Sequence, residues 1–278
     1  MKPGQPSKLK SVLDYLLSFF IALTLFVTAA CLLLAVTVCN PAYMRFALNR
    51  SGYHQLNAQE LTADLSYIAE PIGIDPSLIN ELFDRGEIAE NVEKSIEAAY
   101  SATPFTPDSS AFIGRIYNTI SLYATENGLE IDEENFQHVS DLCGELYTQH
   151  STISYIGSLG HYAASVRLPL LIISGVGALV LTLLIIRLYR MHLRRYVSMR
   201  FLIFGLSGAG LAVLIFPLFA ILSGMVSRVS IGTESLYYLF TTYVDYLLQI
   251  FVFSGLVLIL AALICGFFYY KLKKAFYN

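Results

Sequence analysis

Glu134, His138, Asp141 and Glu145 follow one another at i, i+4, i+7 and i+11. On a helix of 3.6 residues per turn this spacing holds all four within about 60°. Three carboxylates and an imidazole on one face form a donor set for a divalent cation, so these four are the candidate metal ligands. The same segment puts Phe136, Val139, Leu142, Cys143 and Leu146 on the opposite side. That is also the pattern of an amphipathic helix whose polar side is simply hydrated. The second reading needs no ligand and is the stronger one, and no calcium loop with an internal glycine accompanies the four. No cofactor is expected.

His150 and His161 lie eleven residues apart and are nearly aligned if one helix runs through both. Imidazoles near a membrane can sense pH, although interfacial histidines commonly do nothing of the kind. Arg167, Arg228, Glu234 and Asp245 flank apolar runs and are the polar set a membrane-embedded enzyme would draw on. Salt bridging and headgroup contact account for them without chemistry. The chain has no Gly-rich phosphate loop, zincin motif or nucleophile elbow, and no Ser–His pair in an activating context. The expectation is a protein with no catalytic residue, not an enzyme.

The elements that carry these residues are set by hydropathy. Of 278 residues 55% are hydrophobic and 14% charged, and the mean hydropathy is +0.58. The apolar residues gather in runs at 15–39, 168–186, 201–222 and 250–268, each without a charged residue. Crossing about 30 Å of hydrocarbon takes about 20 helical residues, so four transmembrane helices are expected. The first run exceeds the roughly 7–15 residues of a cleavable signal core and is read as an uncleaved anchor.

Orientation follows the positive charges beside the spans. Segments 1–14, 187–200 and 269–278 hold three, five and three basic residues, 11 of the 18 in the chain. Segment 40–166 has five basic residues against 18 acidic ones, a formal balance of −13. Both termini and the basic loop 187–200 are expected in the cytoplasm, and 40–166 outside the cell, with 223–249 as an outer connection. The arginines of the basic loop are explained by orientation and anionic headgroups, not by nucleic acid. Of the four cysteines only Cys143 lies well inside the outer segment, so no disulfide framework is expected.

The outer segment is helical by periodicity. Its expected helices carry Leu61, Leu65 and Ile68; Leu78, Ile79, Leu82 and Phe83 after an Asp75-Pro76 start; Ile88, Val92, Ile96 and Tyr100; Phe112, Ile116 and Ile120; and a fifth, capped by Asp132, that continues toward the second span. Pro169 either opens that span or kinks a continuous helix. The fold class is all-α: four transmembrane helices and a five-helix extracytoplasmic bundle between spans 1 and 2. With "IDPSLINELFDRGEIAENVEKSIEAAY" (74–100) near the front of an exoplasmic insert, a lysine-bearing start and three closing spans, nearly the whole chain resembles a group of uncharacterised four-span membrane proteins of Gram-positive, mostly anaerobic, bacteria. That resemblance implies the architecture and brings no site residue.

Inside the spans, "ISGVGALVL", "LSGAGLAVL" and "FSGLVLIL" look alike. They are either inverted repeats of a transporter or, more simply, small residues that let helices approach in lipid. Gly205, Gly208 and Gly210 are the expected packing face. Ionisable residues stop at the span edges, which argues against coupled transport. The expected role is a binding, sensing or accessory subunit of the envelope, whose partners are membrane lipid and another membrane protein or a second copy. A small channel or transporter is the alternative.

Overall fold

The computed structural model describes residues 8–69, 82–128, 133–153, 155–192 and 195–277. Among them it is all-helical: α1 (Lys8–Val36), α2 (Pro41–Ser51), α3 (Tyr53–Ala69), α4 (Arg85–Tyr100), α5 (Ser110–Asn127), α6 (Glu133–His150), α7 (Ile156–Met191), α8 (Arg195–Leu222), a 3-10 turn (Val226–Arg228) and α9 (Glu234–Tyr277). Four helices are long and apolar enough to span a membrane, at Val12–Val36, Ile156–Met191, Tyr196–Leu222 and Glu234–Lys274. The chain is a multi-pass membrane protein.

It divides into two units. The span unit comprises Met1–Val38, Val166–Arg228 and Val244–Asn278. Its tightest seam joins α1 and α8, where Ile21 is fully buried and Ser18 donates to the Phe201 carbonyl (2.9 Å). Leu188 of α7 closes that cluster. The remaining apolar faces of α1, α7, α8 and α9 are exposed, as a lipid solvent requires.

The second unit, Cys39–Ser165 with Val229–Tyr243, has an apolar core of its own. The periodic residues read from the sequence fill it: Leu61, Leu65, Ile88, Val92, Ile96, Phe112, Ile116 and Ile120 are buried. Leu82 packs against this core and Phe83 is buried, both in a turn ahead of α4, whereas Leu78 and Ile79 of the helix expected after Asp75-Pro76, and the Asp132 cap, lie outside the described residues. Asp84 caps α4 by accepting from the Gly86 N–H (2.7 Å).

Three features depart from expectation. Helix α2 was not anticipated, although Asn40 caps it (Oδ1 to the Ala42 N–H, 3.1 Å), Pro41 opens it and Gly52 ends it at φ 72°. Helix α6 stops at His150 instead of running into the second span, and α7 starts afresh at Ile156 after Tyr155 at φ 67°. The break lets Ile153 and Ile156 turn into the core, a burial worth about 2 kcal/mol per side chain. Pro169 lies inside α7, so it does not open the span.

Candidate functional site

A densely bonded polar site in the second unit is at the C-terminal end of α6. His150 is 7% exposed and Asn57 of α3 is 3% exposed. Asn57 Nδ2 donates to the His150 carbonyl (2.7 Å), which fixes the amide so that its Oδ1 faces His150 Nδ1 at 2.9 Å. The other ring nitrogen, Nε2, faces the Asp64 carboxylate at 3.0 Å. Both ring nitrogens therefore face acceptor-capable oxygens, one from an amide and one from a carboxylate. The site clamps α6 to α3 and satisfies the last carbonyl of α6.

One turn along α3, Glu60 reaches the start of α9. Its carboxylate accepts from the Ser235 N–H (2.8 Å) and from the Ser235 hydroxyl (2.5 Å). A carboxylate at a helix N-terminus is favoured by the dipole. Tyr53, Asn57, Glu60, His150 and Ser235 line a cavity of about 30 Å³ between these two clamps. Leu239 of α9 is buried in the core, and the Tyr43 hydroxyl donates to the Tyr243 carbonyl at 2.9 Å. The second unit thus holds the first turns of α9 by a carboxylate, a core leucine and a tyrosine.

Burial pushes the phenols of this unit up to about 12: Tyr43 by desolvation alone, Tyr100 by desolvation and the neighbouring Cys39, Tyr147 by desolvation and Glu87. Desolvation raises the buried Cys143 thiol to about 11. Each of these groups holds its proton more tightly folded than unfolded. Their contribution to stability is therefore full below the unfolded pKa values, near 10 for the phenols and 9 for the thiol, and is lost as pH rises through 11–12. An alkaline titration of the full chain in detergent, read by phenolate absorbance and circular dichroism, is expected to show these tyrosines ionising late and together with loss of helix. Ionisation near 10 with the fold intact would contradict this.

The residues singled out from the sequence sit as follows. Glu134, His138, Asp141 and Glu145 are all exposed along α6. Asp141 and Glu145 line a shallow groove with Ser109, Ile113 and Gly144. No group of three or more His, Cys, Asp or Glu side chains converges to hold a metal among the described residues. His161 is exposed on α7, so it shares neither helix nor environment with His150. Arg167, Arg228, Glu234 and Asp245 are each exposed, with Glu234 in the first turn of α9. All four cysteines are free.

The expected single face of Gly205, Gly208 and Gly210 is two faces. Gly205 lies against Ile21 and Gly208 near Ala22 of α1, whereas Gly210 meets Gly255 and Ile259 of α9. At 100° per residue, Gly210 is turned about 160° from Gly208. Gly177 of α7 lies against the Thr28 hydroxyl, and Ser174 donates to the Thr28 carbonyl (3.4 Å).

A second constellation, unforeseen from the sequence, lies in the span unit. The side chains of Asp14 and His192 are 7% and 8% exposed, with Nε2 3.2 Å from Oδ1, an ion-pair distance without hydrogen-bond alignment. His192 stacks on Phe201 (5.9 Å between centroids), which Tyr15 meets edge-on at 5.4 Å. Asp14 falls just before the first uncharged run, yet inside the helical stretch long and apolar enough to span. Window hydropathy gave no signal of its partner 178 residues away. No family model, curated protein or solved structure matches this chain, so its sites are read from geometry alone.

Proposed function

We propose that this is a non-enzymatic envelope protein whose helical unit stands outside the cell and binds or senses there, passing the event to another membrane protein. In this reading both termini are cytoplasmic, as the placement of 11 of the 18 basic residues supports. The helical unit is then an acidic extracytoplasmic bundle. The observation that carries the proposal is the grip on α9. Glu60 fixes the first turn, Leu239 is in the core, and the same helix continues to Tyr277 as the fourth span. A shift in α3 or α6 that displaced this grip would be felt along a continuous helix.

The test is a crosslinked pull-down of the tagged chain from its native membranes, read by mass spectrometry. One specific co-purifying membrane protein is expected, crosslinked through the helical unit or the basic loop. Recovery of the chain alone would remove the accessory role.

One observation favours a second reading, a small transporter. The Asp14–His192 pair is ionisable and buried in the span unit, where such groups commonly mark proton or ion paths. Uptake by the purified protein in proteoliposomes, lost on Asp14→Asn, would decide for it.

A further inference from the structure

Along α7, Ile172, Val176, Val180, Leu183, Arg187 and Arg190 recur at intervals of three or four residues and form one stripe. All six are exposed. Two grooves follow this stripe. One, of about 400 Å³, is walled by Leu23 and Val27 of α1 and by Ile172, Val176 and Val180. The other, of about 380 Å³, runs from Val180 past Leu183 to Arg187 and Arg190. Val180 lines both, so they run on as one open apolar channel, walled by α1 and α7 along the first groove and by α7 alone along the second, with two guanidinium groups at its end.

We propose that this channel seats one anionic phospholipid, with its phosphate on Arg187 and Arg190 and an acyl chain along Leu183, Val180 and Val176. The length fits. From Arg190 to Val176 is fourteen residues, about 21 Å at 1.5 Å per residue, and one leaflet with its headgroup is half of about 40–45 Å. The charge fits as well. Among the described residues neither arginine has an acidic partner. Three other basic residues of the span unit lie against aromatic rings instead: Arg200 over Phe204 and near the Tyr15 hydroxyl, Lys271 over Phe267 and Lys273 over Tyr269. Asp14, an acid at the same end of the spans, faces His192. A guanidinium matches phosphate with parallel donors, and the groove distinguishes a seat from the general attraction of a basic loop to a charged surface.

The experiment is native mass spectrometry of the full chain in detergent, titrated with phosphatidylglycerol and, separately, phosphatidylcholine. One saturable phosphatidylglycerol is expected, bound at least tenfold more tightly than phosphatidylcholine. Arg187→Gln with Arg190→Gln should remove that preference. Val180→Trp, which fills the groove on an exposed face and keeps both charges, should weaken phosphatidylglycerol about tenfold. Glycerophosphoglycerol, the headgroup without chains, should not compete. Equal binding of the two lipids, binding unchanged in both variants, competition by the bare headgroup, or a dimer that Val180→Trp disrupts would each overturn the proposal, the last by giving the channel to a second copy.

Discussion

Replacing His150 by Ala is expected to destabilise the helical unit by about 3 kcal/mol. Two terms add. The change strands the Oδ1 of buried Asn57 and removes the contact to Asp64, and an unmet buried polar group costs about 1–3 kcal/mol. It also leaves a void where a ring was 7% exposed. Asp64→Asn should cost a few tenths of a kcal/mol, because that carboxylate is 52% exposed and screened by solvent. Asn57→Ala should approach the His150 value, since Asn57 also holds the last carbonyl of α6. The double variant should show a coupling of about 1–2 kcal/mol. The measurement is resistance of the full chain to protease across a urea series, scored on fragments from residues 39–165. A His150→Ala protein within about 0.5 kcal/mol of the parent would mean that the clamp only decorates a junction fixed by Ile153 and Ile156.

This clamp marks the limit of what spacing reveals. The spans were legible because lipid demands a composition that any window of about 20 residues reports. The core positions of α3, α4 and α5 were legible because a helix repeats its buried face every three or four residues. Helix α2 had its signals in plain view, Asn40-Pro41 at one end and Ser51-Gly52 at the other, but its apolar residues are bunched between Ala42 and Leu48, too short a stretch for a helical period to stand out. The end of α6 depends on Ile153 and Ile156 leaving one helical face for the core, a choice made by distant partners. The partners of His150 are 86 and 93 residues away, and no local pattern encodes them. The same holds for Asp14. Its neighbours gave it the look of a charge at a span edge, and its burial comes from His192 on another helix. The glycine face failed for a simpler reason. Gly205, Gly208 and Gly210 are close in sequence, but rotation about the helix sends the third toward a different neighbour.

That rotation carries the second large effect. Gly210 of α8 and Gly255 of α9 face each other. A Cβ on Gly210 would lie 2.9 Å from Ile259 Cγ1 and 3.1 Å from the Gly255 carbonyl oxygen, and one on Gly255 would lie 2.6 Å from Leu214 Cγ and 3.0 Å from the Gly210 carbonyl oxygen. Leu214 has rotamers to try, but a carbonyl oxygen belongs to the opposing backbone and cannot move without the helix. In lipid this contact cannot be replaced by apolar burial, because separated helices lose no hydrophobic solvent; close packing holds them. Gly255→Val is therefore expected to cost about 3 kcal/mol and Gly210→Ala about 1–3 kcal/mol, the range for overpacking a filled interior. Gly175→Ala and Gly266→Ala are the matched controls. Both glycines are helical, and an added Cβ at either meets nothing within 4 Å. Those two changes should be neutral or stabilising by up to about 1 kcal/mol through helix propensity. Thermal loss of the monodisperse peak on size exclusion in mild detergent ranks the four. An ordering in which Gly175→Ala falls as far as Gly255→Val would show that backbone freedom, not the approach of α8 to α9, is what the glycines supply.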